Sequence, residues 1–150
     1  MGLSDPTSPD EARIRAEIAA KKQLCPPHGD SLPVVSIESF FTGNTDIGSI
    51  AVNVYPYPGL DAIFTLLSAV RARPDVADVL VEIYDEEPEQ SWPYAERVYV
   101  FTSATADEVA GWFLPISADS AEQYDWADVA HIPGMPALPE GMSVVSVWWD

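Results

Sequence analysis

The feature that most limits the fold of this sequence lies after residue 48, where the spacing of the apolar residues alternates between a strand-like and a helix-like repeat. A period of two residues, typical of strands with one buried face, occurs in four stretches: 48–55, 76–85, 97–102 and 143–149. A helical period lies between the first two stretches, over 59–73, and another helix is predicted from Ser103 or Thr105 to Phe113. This order, βαββαβ, predicts an α+β domain of the ferredoxin-like, split βαβ type. We expect a four-stranded antiparallel sheet with two helices on one face.

Further segments precede and interrupt this plan. Ser8 and Pro9 are typical of a helix start, and the predicted helix continues to about Leu24, before two prolines. We therefore divide the 150 residues into three parts: an N-terminal helical arm (1–25), a linker (26–33) and a single α+β domain (34–150). Within that domain, 34–41 is predicted to add a short strand. Residues 115–141 hold four prolines and no clear period, which predicts a long irregular segment.

Alternation along the strands also predicts an unusual second sheet face. If the valines and isoleucines face the helices, the opposite face presents several aromatic side chains and one acid: Tyr55, Glu82, Tyr84, Tyr99, Phe101 and Trp148. An aromatic face is rarely left in water. Three occupants are considered: another segment of the same chain (the N-terminal helix, 34–41 or 115–141), a second copy of the chain, or a ligand or foreign protein. Trp149 is predicted to enter the core on the helix side.

The net charge of −17 is concentrated in the domain. Residues 1–22 carry four bases and four acids, and no Lys or Arg follows Arg97. Phosphate contacts need clustered basic side chains, so nucleic acid and anionic lipid are excluded as partners. No apolar run is long enough to span a bilayer, and a single cysteine, Cys25, is consistent with a cytoplasmic protein.

Two acidic groups are candidates for binding a basic partner. The first lies in the predicted hairpin loop and surrounds an aromatic residue: Asp85, Glu86, Glu87, Glu89 and Trp92. An aromatic anchor ringed by acids resembles an interface hot spot, although local packing of the loop is the alternative for Trp92. The second group recurs every three or four residues and would line one face if 117–130 were helical: Asp119, Glu122, Asp125 and Asp128.

No motif for catalysis, cofactor or metal binding is found. Cys25 and His28 have a metal-like interval, but the only other histidine is His131 and there is no second cysteine, so four zinc ligands cannot be assembled. No nucleotide-binding or hydrolase signature occurs. We therefore expect no cofactor and no enzymatic activity.

These observations favour a non-catalytic acidic binding protein, in its sharpest form an inhibitor or immunity-type protein for a basic, nuclease-like partner. The alternative is a homodimeric ferredoxin-like protein that binds or converts a small molecule on the aromatic sheet face. A third interpretation is that the acidity serves only solubility or salt tolerance.

Overall fold

The computed structural model describes residues 8–23, 32–85, 92–116 and 118–149. It is mixed α/β, with a five-stranded antiparallel sheet and several helices. In chain order the elements are α1 (Pro9–Gln23), β1 (Val34–Ser36), α2 (Ile37–Phe41), α3 (Leu60–Arg71), β2 (Val76–Asp85), β3 (Tyr94–Thr102), α4 (Ala106–Trp112), a 3₁₀ turn (Leu114–Ile116), β4 (Ser120–Tyr124), α5 (Trp126–Val129) and β5 (Ser143–Trp148). No helix of this described part is long and apolar enough to cross a membrane.

The strand order is β1-β2-β3-β5-β4, and all neighbours are antiparallel. The sheet therefore has five strands where four were predicted, and the ferredoxin-like arrangement is not confirmed. In that arrangement the first strand lies beside the third, but β5 takes the corresponding place beside β3. The two edges are formed by β1 and β4, neither of which belongs to the four-stranded plan.

The strand predicted over 48–55 is absent. Only Ile50 makes a β-bridge, to Ala95, and the chain turns at Ala51, which has a φ of 54°. Val54 donates a backbone hydrogen bond to Ala51, closing a turn in place of an extended ladder. Ile50 and Ala51 are nevertheless buried in the core, whereas Val52 is 61% exposed, so the alternation in this stretch does not mark one buried face.

The predicted strand over 34–41 is also shorter than expected. It extends only over Val34–Ser36, and the next five residues form α2. The Ser36 side chain accepts a hydrogen bond from the backbone N–H of Ser39, which caps that helix and ends the strand.

The main core lies between the sheet and the helices. It contains the predicted inward set of β2, β3 and β5, together with Trp149, whose indole Nε1 donates to the carbonyl of Ile116 at 3.0 Å. The N-terminal helix belongs to this core: Ile14 and Ile18 of α1 are fully buried in it. Lys21 of α1 also donates to the carbonyl of Val34 at 2.9 Å, so the helix lies on the domain. Most of the predicted linker, like Cys25 and His28, lies outside the described residues.

Candidate functional site

A polar network lies on the second face of the sheet, opposite the main core. Glu82 of β2 and Arg97 of β3 are cross-strand partners, and Arg97 Nε lies 3.7 Å from Glu82 Oε1. The hydroxyl of Tyr99, two residues further along β3, donates to Glu82 Oε2 at 2.8 Å. Alternation places these three side chains on the same face, as the sequence predicts for Glu82 and Tyr99.

Arg97 also connects this pair to the strands β4 and β5. Its guanidinium donates to the hydroxyl of Tyr124 on β4 and to Ser146 Oγ on β5, the latter at 3.1 Å. The guanidinium carbon lies 5.4 Å from the centre of the Tyr124 ring, within cation–π range. One arginine of β3 therefore contacts polar groups on three other strands, β2, β4 and β5.

Burial shifts the pKa values of two groups in this network. Burial raises the pKa of Glu82, and this outweighs the opposing effects of the Tyr99 hydrogen bond and of Arg97. Burial also raises the pKa of Tyr99 well above its usual range, with a further contribution from the neighbouring Glu82 charge. Tyr99 thus remains a hydroxyl donor at neutral pH.

The rest of this face is covered by the segment that follows β4. Its apolar side chains recur every third residue: Trp126, Val129, Ile132, Met135 and Leu138. Successive turns maintain the spacing, with backbone hydrogen bonds from Ile132 to Val129 and from Met135 to Ile132. Together with Val34, Leu80, Tyr99, Phe101 and Val144, they form a second core, in which Trp126 packs edge-to-face on Phe101 at 5.9 Å.

One glycine fixes where this covering segment meets β1. Gly134 has a φ of 89°, and a Cβ there would lie 2.8 Å from the carbonyl oxygen of Val34. The neighbouring Pro133 accepts a backbone hydrogen bond from Val34 at 3.0 Å. Because this approach needs a residue without a side chain, Gly134 lets the segment cross the sheet to its β1 edge.

A cleft of about 460 Å³ lies between β4 and the start of the covering segment. Two tyrosines, a histidine and three exposed carboxylates are among its lining residues: Tyr99, Glu122, Gln123, Tyr124, Asp125, Asp128, Val129, His131 and Ile132. The two tyrosine rings meet edge-to-face with centroids 6.3 Å apart. No lysine or arginine lines this cleft.

Local structure explains how the acids come together. Glu122 is the middle residue of β4, and its Cα partner on β5 is Ser146. Asp125 is the N-cap of α5 and Asp128 is its third residue, whose backbone N–H donates to the carbonyl of Asp125 at 2.9 Å. Acidic side chains are favourable near a helix N-terminus, which offsets part of their mutual repulsion.

The chemistry available here is cation recognition. Carboxylates attract a positive charge, and the Tyr124 ring already lies within cation–π range of one cation, the Arg97 guanidinium. Among the described residues, no group of three or more His, Cys, Asp or Glu side chains is arranged to hold a metal ion. The geometry fits a basic organic group, such as an ammonium or guanidinium.

The structure brings together only part of the predicted acidic set. Glu122, Asp125 and Asp128 line the cleft, whereas Asp119 is exposed just before β4 and lies outside the lining. The shared face would need a helix over 117–130, but the described residues of this stretch form a strand followed by one helical turn. Asp85 ends β2, and Glu86, Glu87 and Glu89 lie outside the described residues.

Trp92 is not an exposed anchor. It is only 4% exposed and belongs to the main core, and its backbone N–H donates to Asp46 Oδ2 at 3.3 Å. This position agrees with the alternative of local packing.

The predicted open sheet face needs the same correction. Tyr99 and Phe101 are 2% and 1% exposed, because the covering segment packs on them. Tyr55 is 96% exposed and lies in a loop, since 48–55 is not a strand. Glu82 and Trp148 are half-buried on this face, and Tyr84 is exposed toward the end of β2. Of the three occupants considered, the chain's own 115–141 segment is the one seen.

Sequence reasoning missed Arg97, Tyr124 and His131 as parts of this site. Arg97 carried a usable signal: it is the last basic residue of the chain and alternates with the inward-facing Val98. The covering segment carried another, because the three-residue spacing of its apolar side chains is visible in the sequence. Tyr124 and His131 offered no comparable pattern.

Comparisons with known proteins give two matches. A family model described as "Uncharacterized protein YfbO family" matches residues 10–147. The chain is also 38% identical over 120 residues to "Uncharacterized protein YfbO" of Escherichia coli (strain K12), covering 79% of this chain and 83% of that protein. No solved structure matches at a significant level.

Proposed function

The chain belongs to the YfbO family, and we propose that it is a non-catalytic acidic binding protein whose cleft beside β4 receives a basic group of a protein partner. The observation that carries the proposal is the cleft itself, which Glu122, Asp125 and Asp128 line together with two tyrosines and without a lysine or arginine. The net charge of −17 supports it by attracting a basic partner over a distance.

The sharper form of this function is an inhibitor or immunity-type protein. A nuclease-like protein presents a basic cleft to nucleic acid, and an acidic surface competes for such a cleft by charge complementarity. We place the interaction in the cytoplasm, in keeping with a chain that has one cysteine. Association should be fast at low salt and slow steeply as salt is added.

The alternative of a homodimer that uses the aromatic sheet face has no observation in its favour. It needs an open face, and Tyr99 and Phe101 are covered by the chain's own segment. The interpretation of the acidity as salt adaptation makes a different prediction, namely that no particular carboxylates matter for binding. The experiment below separates it from the proposal.

The test uses decalysine as a defined cationic probe. We expect the backbone amide NMR signals of residues 122–131 to shift when the probe is titrated in. The double variant Asp125→Asn/Asp128→Asn should weaken binding about tenfold, because each exposed charge contact contributes up to about 1 kcal/mol. The matched control is Asp107→Asn/Glu140→Gln, which removes two exposed acids outside the cleft. It should weaken binding no more than about twofold.

Equal losses in the two double variants would contradict the proposal, because they would indicate a general field effect. The immunity-type form is tested by capture from a bacterial lysate at low salt with the same three proteins. We expect a basic nuclease to be retained by the wild type and the control but not by the cleft variant. Failure to retain any basic protein in this pattern would reject that form.

A further inference from the structure

The outer edge of β4 is a second feature of the same surface. β4 is the last strand of the sheet and pairs only with β5. In the described part of the chain, no backbone–backbone hydrogen bond joins residues 120–124 to anything other than the β5 ladder. An edge strand of this kind presents unpaired N–H and C=O groups, which can accept another extended segment.

The charge at the centre of β4 disfavours a second copy of this chain as the occupant. Two β4 strands paired antiparallel about their middle residue would bring Glu122 opposite Glu122. Like charges directly opposite each other destabilise a strand pair, and each copy carries a net charge of −17. A charged residue on an edge strand is a common protection against self-pairing.

The same charge favours a basic segment. Ser120, Glu122 and Tyr124 point to the second face of the sheet, because Tyr124 packs in the second core and strand side chains alternate. A strand added to this edge would place alternate side chains on that face, about 4.5–5.5 Å from their neighbours on β4. A Lys or Arg at the centre of the added strand would therefore lie beside Glu122, with Asp125 and Asp128 in reach of flanking positions.

We propose that β4 is an interaction edge on which an extended, basic segment of another protein pairs as a sixth strand. This inference rests on the proposed function and adds the form of the ligand: about five residues in β-conformation, matching the length of β4, with basic side chains at alternate positions. Backbone hydrogen bonds to β4 hold the segment, and the cleft carboxylates select its charge.

The experiment uses the peptide acetyl-TKVRVKT-amide and two derivatives of equal charge. One derivative is N-methylated at the three basic residues, the other at the two valines, so that each blocks one edge of the peptide strand. We expect one derivative to bind at least tenfold more weakly than the parent and the other to bind within threefold of it. Amide hydrogen exchange should show at least tenfold added protection for two or more residues of 120–124.

Strand pairing is overturned if both derivatives bind like the parent, or if no amide of 120–124 gains protection. Such a result, combined with weaker parent binding to Asp125→Asn/Asp128→Asn, would leave the proposed function intact. Absence of parent-peptide binding while decalysine still binds in the cleft would also reject only the strand pairing. Absence of binding to both cationic probes would reject the two proposals together.

Discussion

Tyr99 and Glu82 are joined across two strands by a hydrogen bond of 2.8 Å from the tyrosine hydroxyl to Oε2 of the carboxylate. Glu82 is half-buried, and Tyr99 is almost fully buried. The Nε of Arg97 lies 3.7 Å from Oε1, the other oxygen of the Glu82 carboxylate. Replacing Tyr99 leaves the half-buried Glu82 carboxylate with one donor fewer. Tyr99, which lines the acidic cleft, is therefore bonded to an acid that lies outside the cleft lining.

The first prediction concerns this hydrogen bond. Tyr99→Phe removes only the hydroxyl and should lower the free energy of unfolding by about 1.5 kcal/mol, the lower end for bonds to charged groups. It should also raise the pKa of Glu82 further, since a donor to the charged form is lost. Urea denaturation and carboxyl-carbon NMR titration measure the two effects. Tyr55→Phe is the control, because that side chain is fully solvated, and an equal loss there would contradict the assignment.

The second prediction concerns the pH dependence that Glu82 confers. Burial raises its pKa in the folded state, so the folded protein binds the proton more tightly than the unfolded chain does. Stability from this group is therefore lost as pH rises from about 4 through the folded-state pKa. Glu82→Gln cannot ionise, and its stability relative to the wild type should increase over that range. A difference in unfolding free energy that stays constant from pH 4 to 7 would refute this.

Much of the fold was predictable because α3, β2 and β5 each bury one apolar face in the main core. The predicted β2 coincides with the observed strand, α3 and β5 are within two residues, and Trp149 enters the core as expected. The strand predicted over 48–55 is absent because alternation of apolar residues does not form a strand by itself, and a strand also needs a free place beside a neighbouring strand. β5 occupies that place beside β3.

The candidate site was only partly predictable for a related reason. β4 has no apolar alternation, since it is an edge strand with four polar or aromatic residues around Ala121. The cleft depends on where the covering segment crosses the sheet, which is set by long-range contacts such as Gly134 with Val34. The spacing grouped Glu122, Asp125 and Asp128, and in the structure these three line the cleft from a strand and a single helical turn.

The third prediction tests whether α1 is part of the domain. Ile18 is fully buried in the main core, so Ile18→Ala should lower the free energy of unfolding by about 3 kcal/mol through lost burial and a residual cavity. Ala20→Ser, on the exposed side of the same helix, should change it by less than about 0.5 kcal/mol. Unfolding that remains unchanged in the Ile18 variant would show that the helix separates from the domain in solution.

The fourth prediction concerns an ion pair between α2 and α3. Two guanidinium nitrogens of Arg71 donate to the two carboxylate oxygens of Glu38, and the bond from Nη1 to Oε1 is 2.8 Å long. This ion pair lowers the pKa of Glu38 to about 2. The stabilisation is thus complete above about pH 4.5 and is lost as pH falls toward 2.

Because Glu38 is more than half exposed, a double-mutant cycle with Glu38→Gln and Arg71→Gln should give a coupling of no more than about 1 kcal/mol at pH 6. The same cycle at pH 2 should give a clearly smaller value. Coupling that is equal at both pH values would show that the charge of Glu38 does not contribute.

The last prediction concerns Glu122 as a guard of the sheet edge. If its charge prevents two β4 strands from pairing, Glu122→Val should allow self-association, because valine also favours strand structure and adds apolar surface at the centre of the edge. Sedimentation velocity should show a dimer that increases with protein concentration. Added salt should favour dimers further by screening the remaining charge.

Glu122→Asp keeps the charge and should stay monomeric at the same concentrations. If the valine variant is also monomeric up to millimolar concentration, the edge is protected by something other than Glu122.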